Sequence, residues 1–218
     1  MTCLRRITLF ALAALLLAPV AIQRAYANGT SDSTDIVEAI WRIQRVEFMY
    51  NSRDVYYSCD ALQYKIGAIL KAVGAHHQGV RVELRCIGRF VNHASGRVTV
   101  VVPAEATEDN VIAATTFDAQ AQLVARMRKV TLPTPADIER FPASWRSVSL
   151  NRQRGLKLES GDCDLLQALR RQVFPTVPIR VESEALHCGL GAGTGMRPKL
   201  DVTALMPVAT TDFLSMRR

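Results

Sequence analysis

Two stretches of the chain repeat one another. Trp41-Arg42 is followed, eighteen residues after the tryptophan, by Cys59-Asp60-Ala61-Leu62-Gln63, and Trp145-Arg146 is followed at the same spacing by Cys163-Asp164-Leu165-Leu166-Gln167. Each copy then closes with a second cysteine, Cys86 or Cys188, and a strand-like run ending in proline, residues 98–103 or 200–207. Self-similarity at this scale outranks local propensity as a fold signal. The expectation is an α+β protein: a tandem duplication of a β-α-β-β module, each stapled by one disulfide, with helices packed on an antiparallel or mixed sheet.

The compartment is read from the first residues. Arg5 and Arg6 precede an apolar run over 7–22, and Ala25-Tyr26-Ala27 places small residues where a signal peptidase reads them. That is the pattern of a secretory signal, with cleavage expected before Asn28. The run is shorter than the ~20 apolar residues a spanning helix needs, and no later segment is apolar enough to span. The mature chain is therefore expected to be exported, soluble and periplasmic, with no transmembrane span. Of the formal net charge of +7, Arg5, Arg6 and Arg24 supply three, leaving +4 without them. The remaining Lys and Arg are scattered and lack the aromatic interleaving that stacking on bases requires, so nucleic acid is not an expected partner.

Four cysteines remain after the signal, and four allow three pairings in an oxidising compartment. Geometry prefers one. Residues 60–74 carry the apolar stripe Leu62, Ile66, Ile69, Leu70 and Val73, the pattern of a helix packed on one face. Residues 81–86 alternate, with Val82, Leu84 and Cys86 on one side and Arg81, Glu83 and Arg85 on the other, as a half-buried strand does. Some fifteen helical residues descend ~22 Å and about seven extended residues return ~23 Å, which brings both cysteines to the same end. Cys59 to Cys86 is the expected bridge, and the repeat carries this over to Cys163 with Cys188.

The organisation follows from these elements. Residues 1–27 are the signal and 28–34 a polar, disordered start. The first module occupies 35–105, a helical linker 106–140, the second module 141–210, and a tail 211–218. In the first module the strands are expected at 46–50, 81–86 and 97–102; in the second at 147–150, 179–182 and 199–206, with a helix over 164–174 ended early by Pro175 and Pro178. Thr116 is placed to cap a helix over 117–130. Leu132-Pro133-Thr134-Pro135 marks the boundary, and Thr134 with Pro135 opens a short helix reaching Phe141. Trp41 and Trp145 are read as equivalent hydrophobic anchors. Asp60 and Asp164 sit in first helical turns, where the macrodipole favours a carboxylate.

The chain offers little that resembles catalytic machinery. No Cys-x-x-Cys supports thiol chemistry, no zinc spacing is present, and no Gly-x-Ser-x-Gly elbow appears. His76, His77, His93 and His187 are read as turn residues. The glycine-rich run over 189–195 leads into Pro198 and a strand rather than a helix, which is not the context of a phosphate cradle. No catalytic residue, metal or cofactor is expected. The stretch Tyr56-Tyr57-Ser58-Cys59-Asp60, with Cys86 and with Gly161-Asp162-Cys163, resembles a group of exported bacterial proteins of similar length; the resemblance implies a Gram-negative periplasm and brings no activity with it. The order β-α-β-β-α of the first copy is similar to the small ring-building and substrate-docking modules of secretins, an analogy of element order alone.

The function these features favour is a non-catalytic binding or assembly module of the cell envelope. Its partner would be an envelope protein or an acidic envelope polymer, met by an edge strand or by the loops at the bridge end. There Arg89, Arg97 and Arg197 would favour anionic groups. The alternatives are a periplasmic hydrolase, which needs a cleft gathering carboxylates or a Ser/His set, and a metal-handling protein, which needs His76 and His77 to meet a third ligand.

Overall fold

The alternating runs flanking each tryptophan join into one continuous sheet. The computed structural model describes residues 35–53, 55–186, 188 and 197–208, all within one compact unit spanning Ser33–Arg218. In chain order the elements are β1 (Ile36–Asn51), β2 (Tyr57–Ser58), α1 (Cys59–Ala72), β3 (Val80–Cys86), β4 (Phe90–Val91), β5 (His93–Glu105), α2 (Glu108–Thr115), α3 (Ala119–Arg128), β6 (Arg140–Ser149), α4 (Cys163–Gln172), β7 (Ile179–Ala185) and β8 (Lys199–Pro207). Six strands form an antiparallel sheet in the order β3-β5-β1-β6-β8-β7, and β2 pairs with β4 apart from it.

The two halves meet strand to strand. Ile36 to Ile40 of β1 pair with Ser144 to Arg140 of β6, and the middle pair is Glu38 with Pro142. Glu38 stands three residues before Trp41 and Pro142 three before Trp145. The junction is therefore centred on like positions of the two repeats, and on either side of it the strands follow in mirrored order. Both halves build one sheet and one principal core.

That core lies on a single face. Leu62, Ile66, Ile69, Leu70 and Val73, the stripe of α1, are all buried, as are Leu165, Leu166 and Leu169 of α4, and they pack with Phe48, Tyr50, Val98, Val100, Leu200 and Val202 of the sheet. Each such side chain contributes about 1.5–3 kcal/mol by leaving water. Val82, Leu84 and Cys86 turn to this face while Arg81, Glu83 and Arg85 are exposed on the other, as their alternation requires. Two glycines make the packing possible. Gly74 holds φ +96° after α1, where a side chain would strike the Leu205 carbonyl, and a Cβ at Gly96 would overlap the Glu83 carbonyl.

Both bridges form as expected, Cys59–Cys86 with Cα atoms 6.0 Å apart and Cys163–Cys188 with 5.4 Å. The first ties the start of α1 to the end of β3, the second the start of α4 to the stretch after β7, and each closes a loop worth about 3 kcal/mol through restriction of the unfolded chain.

Several expected boundaries are corrected. The strand expected at 46–50 is the end of a 16-residue β1 that also contains Trp41; likewise β6 contains Trp145, so both tryptophans lie within strands. The helix expected over 117–130 forms as α3, and the additional helix α2 precedes it within the linker. Thr116 does not cap α3: its hydroxyl donates to the Ile112 carbonyl at the end of α2, and Asp118 caps α3 by accepting from the Ala121 N–H at 2.6 Å. The helix expected from Thr134 to Phe141 stops after the 3₁₀ turn Pro135–Asp137, because pairing with β1 draws residues from Arg140 onward into β6. The signal segment, residues 28–34, His187, the glycine-rich run over 189–195 and the tail over 211–218 lie outside the described residues.

Candidate functional site

Two places concentrate side chains beyond the needs of a simple core: a polar cluster at the helix starts and an aromatic groove on the opposite face of the sheet. The polar cluster joins the halves. Asp162, 1% exposed, accepts from Lys65 Nζ at 2.7 and 2.8 Å, from the Tyr57 hydroxyl and from the Glu159 N–H at 2.7 Å. Beside it the Ser52 hydroxyl donates to Asp164 at 2.6 Å and accepts from the Val55 N–H at 3.1 Å. Tyr50 packs edge-on against Tyr57, ring centroids 5.6 Å apart.

Burial pushes the Tyr50 hydroxyl up to about 12. Burial, and then the hydrogen bond to Asp162, raise Tyr57 as well. Both phenols are therefore proton donors over the physiological range and cannot serve as bases. The carboxylates here belong to the hydrolase reading, yet they are committed to structural partners. No histidine is hydrogen-bonded to Ser52, Asp162 or Asp164 among the described residues. Asp60 is exposed while Asp164 is held by Ser52. The cluster is a joint that satisfies itself.

A second, smaller cluster gathers side chains that alternate away from the principal core. Trp41 stacks on Phe141, centroids 4.6 Å apart, and His76 meets the edge of Trp41 at 5.1 Å. His76 is thus half-buried against an aromatic ring rather than solvated, with His77 beside it at 4.8 Å. Ala39, Ala143 and Leu205 floor this small second core. A groove of about 620 Å3 opens over the β1–β6 junction, lined by Ile36, Val37, Trp41, Phe141, Pro142 and Pro207, with the Arg140–Glu38 ion pair of 2.7 Å at its rim. Trp145 occupies the matching place in the second half but is covered: its indole N–H donates to Glu105 at 3.0 Å and the Arg180 guanidinium lies 4.4 Å above its ring.

The groove runs into an unpaired strand edge. β5 pairs β1 along Ala39 to Asn51, whereas β6 pairs only Ile36 to Ile40. Beyond that point one side of β1 has no strand neighbour. At its far end the Gln172 side-chain amide substitutes for one, accepting from the Met49 N–H and donating to the Met49 carbonyl, both at 2.8 Å. Backbone groups alternate between the two sides of a strand, so Trp41, Ile43, Arg45 and Glu47 direct theirs to the same side as Met49. Ile43 and Met49 are exposed on the sheet face above.

The three arginines expected to form a surface belong to three different stretches of the chain. Arg97 lies within β5, and its Nε and Nη2 both donate to Glu47 Oε1, at 3.0 and 2.9 Å, in an exposed ion pair. Arg89 leans over Phe90 in the β3–β4 connection. Arg197, exposed, lies two residues before β8. Among the described residues no group of three or more His, Cys, Asp or Glu is disposed to hold a metal ion. No helix among them is long and apolar enough to cross a membrane.

No family model, curated protein or solved structure matches the chain.

Proposed function

We propose that the protein is an exported, non-catalytic binding module of the cell envelope, acting in the periplasm after cleavage before Asn28, and that it takes an extended apolar segment of an envelope protein over the β1–β6 junction. The observation that carries this reading is the Trp41–Phe141 stack opening a groove that continues into the unpaired edge of β1. An added strand would find backbone donors and acceptors along that edge, while alternate side chains would reach the aromatic floor, the mode of β-augmentation. The two disulfides fit an oxidising compartment. The polar cluster supports the same reading, because its carboxylates are spent on joining the halves.

Site-specific photocrosslinking in intact cells tests it. A photoreactive side chain at Val37 or Ile43 is expected to capture an envelope protein, and Trp41→Ala to abolish the product. The same group at Tyr64, 77% exposed on α1, should capture none. Equal yield at Tyr64, or a yield indifferent to Trp41→Ala, refutes the groove as the binding surface.

A further inference from the structure

Helix α3 presents its apolar stripe outward. Leu123 is 57% exposed, Met127 76% and Val130 60%; Val124 and, on α2, Ile112 are exposed beside them, whereas Ala125 is the one buried residue of α3. In a helix packed for stability the order is reversed, with the long apolar side chains inside. Leu123 and Met127 are four residues apart and share one face, and Val130, exposed, lies just past the left-handed cap that ends the helix. Arg126 and Arg128 project on either side of that stripe, and Lys129 closes the helix in a left-handed cap. From Ala119 to Val130 there is no acidic residue, and none of these three cations has a carboxylate partner among the described residues. Apolar side chains between unpaired cations match a surface that is negatively charged outside and hydrocarbon beneath.

The geometry points to α3 as a membrane-surface anchor, laying Leu123 and Met127 into the headgroup boundary of an anionic phospholipid bilayer while Arg126, Arg128 and Lys129 meet lipid phosphates. Cations near such a surface each add to binding, and the apolar side chains supply the remainder. A helix of 10 residues holds a protein there reversibly. The anchor is independent of the groove, whose aromatic floor is formed by strands.

Vesicle sedimentation tests it, using the protein recovered from the exported fraction with both bridges formed. Vesicles of equal parts phosphatidylglycerol and phosphatidylethanolamine are compared with vesicles of phosphatidylcholine. The native protein is expected to bind the anionic vesicles about tenfold more tightly, with the preference fading at high salt. Leu123→Ser with Met127→Ser, and separately Arg126→Gln with Arg128→Gln, are each expected to lose roughly tenfold in that binding. All four positions are exposed, so near-UV circular dichroism should be unchanged. Absence of binding, equal binding to both vesicle types, or variants that bind like the native protein overturns the proposal. So does a concentration-dependent dimer that Leu123→Ser with Met127→Ser dissolves in the absence of lipid preference, since the stripe would then serve self-association.

Discussion

The residue before the first cysteine of each repeat behaves differently in the two halves. Ser58 caps its own helix, accepting from the Ala61 N–H at 3.3 Å. Asp162, in the matching position, makes no cap hydrogen bond within α4 and instead reaches across to Lys65 and Tyr57 of the first half. One step further on, Asp60 is exposed and Asp164 is bound to Ser52. Matching backbone positions are thus used locally in the first half and for joining in the second. The lesson is that two halves can share strand order and bridges while their polar residues specify which half docks on which. α4 also packs against β1 of the first half, so the second helix serves the partner's strand. The two tryptophans differ in the same sense: Trp145 is covered by Glu105 and Arg180, and Trp41 is left to line a groove.

The strongest way to break this comparison is to remove the covalent frame one half at a time. Cys59→Ala with Cys86→Ala, and Cys163→Ala with Cys188→Ala, should each lower the free energy of unfolding by about 3 kcal/mol, since the loops they close are nearly equal. Urea denaturation measures both. A pair whose removal leaves the midpoint in place would show that its half is held by the other.

The joint itself comes next. Asp162→Asn leaves the Lys65 ammonium beside a neutral amide; because Lys65 is 22% exposed in its side chain, the cost is set at about 2 kcal/mol, below that of a fully buried pair. Ser58→Ala, which removes only a cap, should cost about 1 kcal/mol. If the two substitutions cost the same, Asp162 is no more than a cap and the asymmetry fails. Alkaline titration sharpens the same point. An unfolded tyrosine ionises near pH 10, whereas Tyr50 is held up to about 12, chiefly by burial, and Tyr57 is raised too. Folded tyrosines keep protons that the unfolded chain releases, so this stabilisation is complete below pH 10 and is lost as pH rises between about 10 and 12. Tyr50→Phe with Tyr57→Phe should flatten that fall in a chemical-denaturation series, and an unchanged slope would place the loss elsewhere.

Much of the frame was legible because it rests on periodicity and length. The stripe from Leu62 to Val73, the alternation from Arg81 to Cys86 and the cancelling reach of helix and strand are local quantities, and the structure places these residues accordingly. What escaped was decided by partners distant in sequence. Asp162 meets Lys65 across 97 residues and Trp41 meets Phe141 across 100, and no local pattern marks either pair. Thr134-Pro135 reads as the opening of a helix reaching Phe141, yet pairing of Phe141 with Ala39 outweighs a single turn. α2, eight residues with Val111 alone buried, is too short to show an apolar stripe, although Thr107 caps it.

The smallest effect falls on the edge of β1. Gln172→Ala removes two hydrogen bonds to Met49, but Met49 is 53% exposed and water can replace the amide, so the loss of stability should be no more than about 1 kcal/mol. Hydrogen exchange resolves what a melting curve would barely register. The Met49 amide should exchange faster in the variant, whereas the amides of Phe48 and Tyr50, which alternation directs toward β5, should keep their protection. If all three accelerate together, α4 holds the whole end of β1 against β5 and the strand opens as a unit. If Met49 alone responds, Gln172 serves as a one-residue substitute for a neighbouring strand, and the edge between Trp41 and Glu47 lacks even that.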